Sequence, residues 1–207
     1  MLLLNLTDKF EIFGIIYSLI LLAGFYQIGD LIFKIKNIKI IFIQISDVKY
    51  QKIFISINLI LLIFYPLILY LDKINFIPIL SVSLLILGIF KILSKFKKKF
   101  KIFPFKFDKD FIDKYLVLFT ITILFLLSLS PNTHGDSLGY HFVVAKKILS
   151  SEGYFSTLTH FHSLLAGSGE IMIAIGLYFG SEQFGNLVQF SGLISIFGIF
   201  KKINNNN

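Results

Sequence analysis

Apolar residues in this chain come in long, nearly unbroken runs separated by short polar connections. This is neither the alternation of a half-buried strand nor the one-sided stripe of a soluble helix. The first four runs cover about Phe10–Phe33, Ile53–Leu71, Phe76–Leu93 and Tyr115–Ser130, the last closed by Pro131. Two shorter runs follow, Leu164–Phe179 and Phe184–Phe200, separated by Gly180-Ser181-Glu182-Gln183. A helix needs ~20 mostly apolar residues to cross ~30 Å of hydrocarbon. Backbone polar groups in lipid must be bonded within their own segment, so each run reads as a helix. The pattern predicts an all-α polytopic integral membrane protein with about six transmembrane helices. An amphipathic interfacial helix is expected in one outer loop. Pro66 and Pro78 are expected to bend the second and third spans.

Composition agrees. Hydrophobic residues make up 56% of the 207-residue chain, above the ~45–50% usual for soluble domains. The net charge of +8 would suggest nucleic acid in a soluble protein. Here the basic residues are all Lys and cluster beside apolar runs, which excludes that reading in favour of a topology signal and contact with the lipid bilayer. Lysines crowd the connection after the first run (Lys34, Lys36, Lys39, Lys49, Lys52) and the one after the third (Lys91 to Lys114). Both connections are therefore expected to be cytoplasmic, with the Pro131–Ser163 loop outside, in a multi-pass protein of the cell inner (cytoplasmic) membrane. Lys201 and Lys202 conflict with a count of six crossings, because they fall on the outer side. Without cysteine, neither a disulfide framework nor a thiolate metal site is possible. The first run lacks a basic n-region and an A-x-A-type cleavage site, so no secretory signal is expected.

All four histidines, His134, His141, His160 and His162, lie in the outer loop. The loop opens Asn132-Thr133-His134-Gly135-Asp136-Ser137-Leu138-Gly139-Tyr140-His141. A short amphipathic helix is expected to about Ser151, with Leu138, Phe142, Ala145 and Leu149 on one face, lying flat on the membrane surface. Asp136 has three readings: a base that takes a proton from an acceptor hydroxyl, a metal ligand beside His134, or an N-cap, since Thr133-x-x-Asp136 resembles a capping box. His134, His160 and His162 match a metal site only loosely, and no metal or other cofactor is expected. Tyr140 lies one helical turn after Asp136 and can share its face, whereas His141 falls well round the helix. Glu170 opens the fifth run and is either a functional ionisable group or a carboxylate stabilised by a helix N-terminus. Lys146 and Lys147 read as solvated positions that could also meet a lipid phosphate.

A hydrophobic helix that ends in Ser-Pro-Asn-Thr-His-Gly-Asp136-Ser-Leu-Gly-Tyr140-His141, then an amphipathic segment ending Ser-Glu-Gly-Tyr, then Gly169-Glu170 opening a new span, resembles the N-terminal region of bacterial GT-C glycosyltransferases. These polytopic enzymes use polyprenyl-phosphate sugars and include the protein O-mannosyltransferase and aminoarabinose transferase types. The resemblance covers about Tyr115–Phe200. It implies that Asp136 is the essential acid of the first outer loop, acting as base or orienting the acceptor. It further implies that His134, Tyr140 and His141 line the substrate pocket, with Glu170 supporting them, and that a polyprenyl-phosphate sugar donor is the partner. Three spans precede the matching helix, and the family usually carries further spans and loops, so the chain is expected to be an incomplete, N-terminal part. On this reading residues 1–114 form a three-span region with a basic linker and 115–207 a GT-C-like region. The rival expectation is a non-catalytic membrane protein, a transporter component or assembly subunit, which needs no base at Asp136.

Overall fold

The computed structural model describes residues 11–35, 48–70, 76–96, 111–132, 140–150 and 167–206. Seven helices and no strands occur among them: α1 (Glu11–Ile32), α2 (Val48–Tyr70), α3 (Phe76–Phe96), α4 (Phe111–Ser128), α5 (Phe142–Leu149), α6 (Ser168–Leu177) and α7 (Phe184–Asn206). Four of these, α1, α2, α3 and α7, are long and apolar enough to cross a membrane. Their outer surface is as greasy as their interior: Leu62 is 74% exposed, Ile12 68% and Phe200 65%. Water would penalise that surface and hydrocarbon does not, so this is a helical membrane protein.

Inside, large apolar side chains such as Leu21, Phe25 and Leu84 fill the core, and small and polar residues sit at the closest helix contacts. At the crossing of α1 and α3, Gly24 meets the Leu84 carbonyl and Gly88 meets the Ile20 carbonyl, so closely that any Cβ would clash. Such close backbone approach is how membrane helices gain packing energy without a hydrophobic drive. The Ser56 hydroxyl donates to the Phe25 carbonyl at 2.7 Å and joins α2 to α1. The buried Gln51 amide donates to the Ser195 carbonyl at 2.8 Å, and the Ser195 hydroxyl donates to the Tyr50 carbonyl at 3.1 Å, which joins α2 to α7. Pro78 sits in the first turn of α3, where its missing N–H leaves no helical bond unmade. The helix α2 runs on through Pro66.

One expectation changes. The Leu164–Phe179 run forms, within the described residues, only the ten-residue helix α6. At ~1.5 Å per residue α6 is about 15 Å long, half a bilayer. Its apolarity serves burial in protein: Ile171, Ala174 and Ile175 are fully enclosed. The chain then reverses at Phe179–Gln183. Gly180 adopts φ 69°, the left-handed conformation that ends a helix, and its carbonyl would lie 3.1 Å from a Cβ on Gly14 of α1. The returning α7 packs antiparallel to α6, with Gly176 against Phe184 and Gly185 against Ile173. The helix α4 is 18 residues long, with the apolar stretch Tyr115–Ser128 among its described side chains.

The shortness of α6 also removes the lysine conflict. Gly198 of α7 abuts the Tyr50 ring at the start of α2, and Lys201 lies 5.7 Å over that ring. The end of α7 therefore lies at the same end of the bundle as Lys49 and Lys52, together with the end of α3. A half-length α6 restores the parity that six full crossings would break.

Candidate functional site

The half-helix α6 opens at Gly167 in extended backbone. Four N–H groups at a helix start lack helical partners. Glu170, in that first turn, turns its side chain back, and Oε2 accepts the Gly167 N–H at 2.7 Å. The carboxylate is 95% buried, so its second oxygen also needs a donor. His141, just before α5, supplies one: Nδ1 lies 2.6 Å from Glu170 Oε1. An ionised carboxylate requires Nδ1 to carry the proton. The contact fixes the orientation of the imidazole at the cavity wall.

The helix α5 is held against α6 by Phe142, Val144, Ala145 and Ile148, all buried. Of the face expected from the sequence, Phe142 and Ala145 are buried against protein and Leu149 is half-buried, while Leu138 lies outside the described residues. Lys146 is exposed and Lys147 half-buried. Tyr140 lies beside His141, their rings 4.3 Å apart. Burial, and then the negative charge of Glu170, hold the Tyr140 hydroxyl above the usual phenol range.

These groups face a cavity of about 450 Å³ lined on its polar side by Asn132, Tyr140, His141, Glu170, Asn186 and Gln189, with Met172 and Ile173 as apolar wall. Its size falls within the range of small-molecule sites. Asn132 also donates to the Glu182 carbonyl at 3.2 Å, tying the end of α4 to the α6–α7 turn.

The structure thus brings together three of the residues singled out in the sequence, Tyr140, His141 and Glu170. Asp136 and His134 lie outside the described residues, as do His160 and His162. Among the described residues no three metal-ligating side chains come together. Asn132, Asn186 and Gln189 were not anticipated. Their signal was present, since Asn186 and Gln189 are amides in the first turns of an otherwise apolar helix, where polar groups normally face the bundle interior.

The DUF1420 N-terminal domain matches residues 83–204, more than half of the chain. The chain belongs to this family. The DUF1420 match runs from mid-α3 to the end of α7 and so contains every residue of the cavity. No curated protein and no solved structure matches the chain.

Proposed function

We propose that this DUF1420 chain is the N-terminal part of a membrane glycosyltransferase that takes a sugar from a polyprenyl-phosphate donor on the outer face of the cytoplasmic membrane. One observation supports it most. A buried carboxylate orients an imidazole at the wall of a polar cavity in a lipid-facing bundle, within ten residues of the acidic loop that resembles the GT-C motif. Buried ionisable groups in a membrane protein are costly and usually tied to function.

In the reaction proposed, an acceptor hydroxyl attacks the anomeric carbon of the donor. A new C–O bond forms, the bond from that carbon to the phosphate oxygen breaks, and polyprenyl phosphate leaves with the electron pair. The hydroxyl proton passes to Asp136. His141, held by Glu170, and Tyr140 position the sugar, and the GT-C resemblance gives His134 a part in binding it. Lys147 and Lys146 on α5 are the nearest cations in sequence for the leaving phosphate. No cofactor enters the scheme.

The Asp136→Asn variant tests it. Asn caps a helix as well as Asp does, so expression and detergent stability should hold. Asn cannot take up a proton, and a general base is worth ~10²–10⁴-fold in rate. Transfer from a polyprenyl-phosphate sugar, assayed on membranes carrying the natural full-length protein, should fall by that factor. Normal transfer in the variant would reduce Asp136 to a cap. Absence of any donor binding to the unmodified protein would favour a non-catalytic membrane subunit.

A further inference from the structure

At the opposite end of the bundle from the cavity, charged side chains from three helices converge on the last turns of α1. Lys52 of α2 lies 2.5 Å from Asp30 Oδ1, and Lys91 of α3 bonds the other oxygen, Oδ2. Tyr26, one turn before Asp30, lies beneath three ammonium groups. Its ring centroid is 4.9 Å from Lys52, 4.9 Å from Lys91 and 5.2 Å from Lys95. The Lys52 ammonium also donates to the Tyr26 hydroxyl at 3.4 Å.

The charges do not balance. Three cations meet one carboxylate, a surplus of two positive charges. The side chains of Lys52 and Lys91 are only 18% and 16% exposed, so solvent does little to relieve them. A tyrosine face attracts a cation but carries no net charge, and one ring cannot neutralise three. Among the described side chains Asp30 is the only acid at this end. One lysine would suffice to pair it, and unscreened like charges repel. Among the described residues the cluster is short of an anion.

We propose that the Lys52–Lys91–Lys95 cluster on Tyr26 binds the phosphate of an anionic lipid headgroup. Position favours a lipid source. The cluster lies in the last turns of α1 and α3 and the first turns of α2, helices whose apolar stretches end at Ile32, Lys95 and Val48. Headgroup phosphates lie at that depth, and tyrosine and lysine are the usual residues there. The site is independent of the glycosyltransferase reading, since it lies at the other end of the bundle.

The full chain in detergent, titrated with short-chain phosphatidylglycerol, phosphatidylcholine or inorganic phosphate and read by native mass spectrometry, tests this. Phosphatidylglycerol should bind more tightly than phosphatidylcholine. Lys95 is exposed and does not bond Asp30, so Lys95→Gln should fold normally and lose about fivefold in phosphatidylglycerol affinity, the effect of one interfacial lysine. Lys201→Gln removes the same charge from the Tyr50 ring at the same end and should change affinity little. Equal affinity for the two lipids, or equal losses in the two variants, would overturn the site. Inorganic phosphate competing at the lipid's own affinity would support the phosphate site while assigning it to a soluble anion.

Discussion

The Tyr140 hydroxyl shares its surroundings with the buried Glu170 carboxylate, and this has a consequence that pH can expose. Burial and that negative charge raise the Tyr140 pKa in the folded state, above an unfolded value of ~10. The folded state then holds the phenolic proton more tightly. The associated stability is fully present below pH ~10 and is lost as pH rises through the raised folded value. Thermal melts in detergent at neutral and strongly alkaline pH should show that loss in the unmodified chain. Tyr140→Phe should lose less, and so should Glu170→Gln, which keeps an acceptor for His141 but removes the charge. Identical alkaline losses in all three would mean that Glu170 does not act on Tyr140. At this scale the sequence was informative about which residues matter and silent about how they pair. Helical spacing made Tyr140 the natural companion of Asp136 and put His141 aside. The His141–Glu170 contact spans 29 positions and depends on α5 packing against α6. No local periodicity encodes such a contact.

Among the helices, the α1–α3 crossing and the α6–α7 hairpin show how differently glycines can be placed. A Cβ at Gly88 would lie 2.0 Å from the Ile20 carbonyl oxygen, backbone that cannot move aside alone. A Cβ at Gly169, in the first turn of α6, would meet nothing within 4 Å. Gly88→Ala should therefore destabilise the chain by at least the ~1–3 kcal/mol typical of overpacking. Gly169→Ala should be neutral or slightly stabilising, because alanine is the better helix former by up to ~1 kcal/mol. Melting of the purified variants decides this, and a Gly88→Ala as stable as the parent would show that the two helices are not so close. The long helices were legible because ~20 apolar residues have few uses other than crossing a bilayer. The half-helix α6 was not, because hydropathy scores Ile171, Ile175 and Leu177 alike whether they meet lipid or other helices. The cue lay in its short run, flanked by Gly167, Gly169 and Gly180.

For the whole molecule, the direction of α7 decides the topology. Five observations place its end with the lysine-rich ends of α1, α2 and α3. Lys201 lies over Tyr50, Gly198 abuts the same ring, Ser195 bonds Tyr50 and Gln51, and Gly192 touches Phe54. The reversal at Gly180 supplies the geometry, since a buried half-helix lets the chain turn and cross only once after α5. If lysines mark the cytoplasmic side, Ser94 and Ile203 share it and Ser130 lies across the membrane. Single cysteines can be introduced at these exposed positions without competing thiols, because the chain has none of its own. An impermeant maleimide applied to intact cells should label Ser130→Cys, and should reach Ser94→Cys and Ile203→Cys only after permeabilisation. Labelling of Ile203→Cys alongside Ser130→Cys would place the end of α7 outside, and the antiparallel packing of α7 on α2 could not then stand. Labelling of Ser94→Cys but not Ser130→Cys would reverse the whole orientation. The cavity of His141 and Glu170 would then open toward the cytoplasm, where a polyprenyl-phosphate donor presented on the outer face could not reach it.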